Sequence, residues 1–292
     1  MRSLRRKITD NSSKTSGFTL VELLISMLLG TIIVGAVIGI LMVYVFDFEQ
    51  TDDITAARQR GEMVLAILQN PVLHAGLGIP NSSPDFADSF NNLSGLPDET
   101  IIPSSGDAGN IINLCYSMPS KSYTSASYDI DSDATSFDIT LETIPSGIDI
   151  SDVIKAWVIL PTADIPFQVT NVNTTTKRIS GNIYHDNSIF IAQYDELHYL
   201  RTLEAKVESG EFKVRENLDG SGFQPRVDGI EQIYFENTNG ILTVYVLARG
   251  NKQDSDFSAG TDVHGWPSAA PSISNSGNYR LVTVRGSWRI RN

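Results

Sequence analysis

One carboxylate stands where a carboxylate is costly. From Phe18 to Phe46 the chain runs for 29 residues that are apolar, small or hydroxyl-bearing, with Glu22 as the single formal charge. A helix of that length is roughly 43 Å long, more than the ~30 Å hydrocarbon core of a bilayer. An acid four residues into such a run would sit in lipid as a bare carboxylate or be protonated, and so calls for a reason. A secretory signal would have a shorter apolar region followed by small residues. Here the small residue, Gly17, precedes the run.

Elsewhere the chain is poor in reactive patterns. It has no Gly-rich phosphate loop, no Cys-x-x-Cys, no His-Glu-x-x-His and no Gly-x-Ser-x-Gly elbow. Its four histidines, His74, His185, His198 and His264, are dispersed, so no enzymatic activity is expected. Asp129, Asp131 and Asp133 space like the first half of a calcium-binding loop. Ala134 stands where that loop needs glycine, however, and Thr140 where it needs glutamate. The segment Asn217-Leu218-Asp219-Gly220-Ser221-Gly222 is a second oxygen-rich turn, read more simply as a hairpin loop. No cofactor is expected, and calcium is the one ion these turns bring into question. Cys115 is the single cysteine, which excludes an internal disulfide. Its flanks, Ile111, Ile112 and Leu114, point to a buried thiol.

The hexamer Gly17-Phe18-Thr19-Leu20-Val21-Glu22, followed by an uninterrupted apolar helix, resembles the type III signal of type IV prepilins and type II secretion pseudopilins. The resemblance implies that a membrane peptidase/methylase cuts between Gly17 and Phe18 and methylates Phe18, so that residues 1–17 are a discarded leader. It implies that Glu22 neutralises the new amine of a neighbouring subunit in a filament. Implied partners are the prepilin peptidase, other minor and major pilins reached through the N-terminal helix, and the inner-membrane assembly platform. The implied location is the bacterial inner membrane, crossed once with the head in the periplasm, and then a pilus or pseudopilus, at its tip.

Charge is distributed in keeping with that orientation. The whole chain carries −12. Residues 1–17 hold Arg2, Arg5, Arg6, Lys7 and Lys14 against Asp10, so loss of this +4 segment leaves −16. A basic stretch before an apolar helix favours a cytoplasmic N-terminus. The acidic remainder argues against a nucleic-acid partner, because phosphate contacts need Lys and Arg. Within the run, Gly35 and Gly39 form a small-xxx-small pair that lets another membrane helix approach closely.

The elements that position these residues read as follows. One helix spans 18–70, a transmembrane and filament-core part to Phe46 and an amphipathic part over 47–70. Ile54, Ala57, Gly61, Val64, Leu65 and Leu68 share a face of the second part, and Pro71 ends it. Residues 71–292 form a β-rich head with polar insertions near 81–110, 117–135 and 250–278. Strands are expected at Ile111–Tyr116, at Val153–Leu160 and in a meander-like series after Phe167. Glu208-Ser209-Gly210 and Asn237-Thr238-Asn239-Gly240 serve as hairpin connections. In the last strand Val282, Val284, Trp288 and Ile290 share one face and Arg285, Arg289 and Arg291 the other.

The fold class is therefore α+β, with a long N-terminal helix packed on an antiparallel β-rich head. The segments Tyr199-Leu200-Arg201, Pro225-Arg226-Val227-Asp228-Gly229-Ile230 and Arg289-Ile290-Arg291-Asn292, in that order, resemble the layout of PilW-type minor pilins and of J-type pseudopilins of type II secretion. The expected role is that of a minor pilin in a type IV pilus priming or tip complex. The rivals are a type II secretion pseudopilin and a pilus-borne adhesin. The adhesin would use the insertions with Trp266, Tyr116, Tyr123 and Tyr128.

Overall fold

The computed structural model describes residues 19–80, 85–91, 93–104, 106–218, 222–253, 263–273 and 277–290. Contacts divide the chain into two units that meet between Thr51 and Asp52. Helix α1 (Leu20–His74) runs through both.

In the first unit the helical residues from Leu20 to Thr51 are all exposed, and the apolar stretch is long enough to cross a membrane. Its serine and threonine hydroxyls are satisfied by the helix itself. Ser26 donates to the Glu22 carbonyl at 2.7 Å and Thr31 to the Leu28 carbonyl at 2.8 Å. Hydroxyls folded back in this way need no water, which suits them to lipid.

The second unit is built on strands. They are β1 (Ile101–Ile102), β2 (Ala108–Gly109), β3 (Ile111–Tyr123), β4 (Tyr128–Ile130) and β5 (Ser136–Thr140). There follow β6 (Trp157–Leu160), β7 (Ile165–Asn173), β8 (Arg178–Ile183), β9 (Ile189–Ile191) and β10 (Glu196–Glu208). The last are β11 (Glu211–Glu216), β12 (Gln224–Asp228), β13 (Ile230–Thr238), β14 (Ile241–Gln253) and β15 (Tyr279–Arg289). The larger sheet runs β1-β3-β10-β6-β7-β8-β5, with β11 paired to β10 and β12 to β11. Strand β10 is its hub. One edge takes β3; the other is shared by β6, at His198 and Tyr199, and β11, from Leu203 to Glu208. The second sheet runs β15-β14-β13-β2, and β4 pairs with β9. Every pairing is antiparallel.

The two expected hairpins form. Ser209 and Gly210, at φ 58° and 75°, join β10 to β11, and Asn239 and Gly240, at φ 53° and 71°, join β13 to β14. Paired left-handed residues match the twist of the strands they connect.

The main core lies between α1 and the two sheets. Ala57, Val64, Leu68 and Val72 of α1 pack with Leu114, Leu203, Phe212 and Val214 of the larger sheet. They also pack with Ile233, Phe235, Val244 and Val246 of the smaller one. The architecture is the expected α+β fold, a long apolar N-terminal helix leading into antiparallel sheets.

Four local expectations give way. The helix does not stop at Pro71 but continues to His74. Proline removes one backbone donor there, while the His74 Nδ1 lies 2.9 Å from the Asn70 carbonyl and ties the last turn. The stretch 81–110, read as a loop, contains α2 (Asp85–Ser89). Phe86 and Phe90, four apart, are buried, and Phe90 meets Trp157 edge-on with ring centroids 5.1 Å apart.

The strand read from Ile111 to Tyr116 runs on to Tyr123. Its polar continuation is sheltered: Ser117 and Ser122 are buried, and their hydroxyls bond the His198 ring and the Thr143 carbonyl. The strand read from Val153 shrinks to Trp157–Leu160. Asp152 accepts from the Ile154 and Lys155 amides at 2.9 and 3.0 Å, and that local turn displaces the ladder.

Candidate functional site: the N-terminal helix and its seat

The chemistry-bearing residues of the sequence concentrate on α1. Gly17 and Phe18 lie outside the described residues. At the helix start, Thr19 and Glu22 satisfy one another. The Thr19 carbonyl accepts from Leu23 N–H at 3.2 Å, which makes Thr19 the cap residue. The Glu22 amide donates to Thr19 Oγ1 at 3.3 Å. In return Glu22 Oε2 accepts from the Thr19 amide at 2.9 Å and from its hydroxyl at 3.1 Å. This is a capping box, two otherwise orphaned donors paired reciprocally. The pattern Thr-x-x-Glu before an apolar run is legible in the sequence, yet reading Glu22 only as a charge passes over it.

Gly35 and Gly39 are exposed, and a side chain added at either would meet nothing within 4 Å. They leave a bare strip on the helix, with Gly30 equally open.

In the second unit the buried helix residues are Asp53, Ala57, Gly61, Val64, Leu68, Pro71 and Val72. The expected stripe holds at Ala57, Gly61, Val64 and Leu68, with Leu65 partly buried. It fails at its first member: Ile54 is exposed and its neighbour Asp53 is buried in its place. The cause is in β14. Its pairing with β15 slips between Arg249 and Gln253, and this bulge turns the Asn251 and Lys252 amides toward the helix. Asp53 Oδ1 accepts from the amides of Asn251 and Lys252, the latter at 3.0 Å. Arg60, two turns on, donates from Nη1 to the Arg249 carbonyl at 2.8 Å and from Nη2 to Asn251 Oδ1 at 2.5 Å. Asp53 and Arg60 thus clasp one irregular stretch of strand from both sides. Asp53 was missed because it was sorted by charge; its spacing of four and eight from Ala57 and Gly61 was the available signal.

Two glycines set how close the helix lies. A Cβ on Gly61 would come within 2.5 Å of Val284 Cγ2, and one on Gly250 would run into the Asp53 carboxylate. Val284 faces the helix as the alternation of the last strand requires. Arg285 on the opposite face lies over the Tyr245 ring, 5.4 Å from its centroid.

The remaining candidates do not gather. Asp129, Asp131 and Asp133 are exposed, and among the described residues no three or more His, Cys, Asp or Glu side chains form a metal-holding group. Of the aromatic residues considered for a ligand surface, Tyr116 is in the core, where burial first and then Glu216 push its hydroxyl up to about 12. Tyr123 is exposed and Trp266 covers Leu247, Val263 and Leu281. Cys115 is fully buried, and that burial pushes its thiol far up, away from the thiolate a nucleophile needs.

Residues 12–38 match the family model described as the prokaryotic N-terminal methylation motif. No curated protein and no solved structure matches the chain. The chain thus carries a prepilin-type N-terminal methylation motif at the start of a helix long and apolar enough to cross a membrane.

Proposed function

We propose that the protein is a minor pilin of the PilW type, joining other minor pilins in the complex that primes or tips a type IV pilus. The observation that carries this reading is the division of α1. A methylation motif opens a helix whose first part is wholly exposed and apolar, and whose second part is the buried scaffold of a β-rich head. A subunit of this kind is stored in the inner membrane by the apolar half and is drawn by the same half into the helical core of a filament. The head, periplasmic before assembly, selects neighbours. Residues 1–17 are removed by the prepilin peptidase, which leaves Phe18 as a methylated N-terminus. The carboxylate of Glu22 then meets the amine of an adjacent subunit, so that only a correctly stepped subunit leaves no buried charge unpaired. Gly35 and Gly39 serve close helix contact within the bundle.

Two measurements test the reading. Mass spectrometry of the protein recovered from membranes is expected to find methylated Phe18 as its first residue. Deletion of the gene is expected to abolish surface pili while leaving exoprotein secretion intact. Loss of secretion with pili retained would reassign the chain to the pseudopilus of a type II secretion machine. An N-terminus still carrying residues 1–17 in assembled filaments would refute both.

A further inference from the structure

Strand β15 ends the smaller sheet on one side, paired with β14 alone among the described strands. One bond tells which of its backbone groups are left over. Arg289 stands opposite Ile241, and the Ile290 N–H donates to the Gly240 carbonyl at 2.9 Å. That bond joins the residues on either side of the pair, so Arg289 and Ile241 exchange none between themselves. The register runs back from Arg289 to Leu281 without a slip. By alternation Val284, Gly286 and Trp288 bond to β14, while Arg285, Ser287 and Arg289 turn their N–H and C=O groups away from it. Thr283, the outward residue before them, is half-buried beside Gly265. Arg285, Ser287 and Arg289 are all exposed, and no described backbone group bonds them across that edge. An open edge of this kind is a template for one more strand.

The side chains along the edge select what pairs with it. Arg285 and Arg289 share the outer face, four residues or roughly 13 Å apart, with Ser287 between them. Arg285 is laid over the Tyr245 ring. Neither arginine has an ion-pair partner among the described residues, on a chain that carries −12. A second copy pairing through the same edge would crowd four arginines onto one short face, which is unfavourable. A strand with carboxylates at matching places is favoured for the same reason. It must also be a polypeptide. The open carbonyls need donors, and the phosphates of a nucleic acid or an anionic lipid only accept hydrogen bonds.

We propose that the edge of β15 takes up an extended acidic segment of a partner protein as an added strand. Its carboxylates, four residues apart, lie opposite Arg285 and Arg289, and a small or hydroxyl-bearing residue lies opposite Ser287. The contact needs neither cleavage at Gly17 nor filament assembly, so it stands or falls separately from the proposed function. The test is NMR of the isotope-labelled full chain in phosphocholine micelles, titrated to millimolar concentration with a peptide. The peptide is acetyl-Thr-Glu-Val-Thr-Val-Glu-Thr-amide, and its control carries lysine in place of both glutamates. Strand addition is expected to slow exchange of the Arg285, Ser287 and Arg289 amides at least about tenfold, with less change at Val284, Gly286 and Trp288, which β14 already holds. The lysine peptide is expected to bind about tenfold more weakly or worse. Arg285→Glu/Arg289→Glu, altered only at exposed positions, is expected to reverse that preference without lowering the melting temperature. No protection of those three amides at the highest peptide concentration, or equal binding of the two peptides, overturns the proposal and leaves the arginines as guards against self-pairing. Tighter binding of a thymidine decanucleotide than of the glutamate peptide also overturns it, in favour of a phosphate-binding face.

Discussion

The Asp53 carboxylate takes the place that a side chain on Gly250 would fill. Gly250 lies in the bulge of β14, and a Cβ there would overlap the carboxylate that accepts the Asn251 and Lys252 amides. The acid and the glycine are therefore one device: the strand lacks a side chain where the helix supplies a hydrogen-bond acceptor. Asp53→Ala removes the acceptor from two partly buried amides and is expected to cost about 2–3 kcal/mol. For a unit of this size that lowers the melting midpoint by roughly 4–12 °C. Asp53→Asn retains one acceptor oxygen and is expected to lose less. Thermal denaturation of the purified chain followed by circular dichroism checks the order. Equal midpoints for wild type and Asp53→Ala would show the clasp to be idle.

Gly61 is the second point of close approach, and there the neighbour is stiff. Val284 is β-branched and held in a paired strand, so it has little room to move from an added side chain. Helix propensity alone would favour replacing glycine. Overpacking opposes it, and Gly61→Val is expected to destabilise the head by about 1–3 kcal/mol. Val284→Ala opens space at the same place, so the double variant Gly61→Val/Val284→Ala should recover part of the loss. A double-mutant cycle of denaturation midpoints measures that coupling.

The parts that sequence made legible and the parts it did not differ in kind. The apolar run, the stripe Ala57-Gly61-Val64-Leu68, the hairpins at Ser209-Gly210 and Asn239-Gly240 and the burial of Cys115 are all set by local pattern, and each stands in the structure. What failed depended on distant partners. Ile54 and Asp53 exchange places because a bulge some 200 residues away turns the Asn251 and Lys252 amides toward the helix. The polar stretch after Tyr116 is a strand because β10 covers it, and Phe86 and Phe90 are core because Trp157 lies beneath them.

His198 makes the head sensitive to acid. Its ring is buried, with Nδ1 3.1 Å from Ser117 Oγ, and that burial holds its pKa below the ordinary value of 6.5 despite the opposing pull of Glu196 and Asp195. His74 adds to the lowering. The folded state therefore prefers the neutral ring, while the unfolded chain protonates from about pH 6.5 downward. The contribution is fully present above that pH and is lost as pH falls toward and through the lower folded value. His198→Gln removes the titration. Urea denaturation between about pH 5 and 8 is expected to show a smaller fall in stability on acidification for the variant than for wild type. Parallel curves would rule the histidine out as a source of the acid sensitivity.

Glu22 has two possible duties, and glutamine separates them. In the isolated helix its carboxylate caps Thr19, an exchange of neutral geometry that glutamine performs as well as glutamate. In a filament the proposed duty is to meet a neighbour's amine, which requires a negative charge. Glu22→Gln keeps the acceptor oxygen and the helix start but leaves that amine unpaired in an apolar bundle. Glu22→Ala loses both. If the cap alone matters, the glutamine variant assembles normally and only alanine fails. If the charge matters, both variants are cleaved and methylated at Phe18 as wild type is, and both enter filaments roughly tenfold less or worse. The second outcome is expected. It is read by comparing membrane and sheared-filament fractions on immunoblots, with mass spectrometry of the membrane fraction confirming that processing is intact.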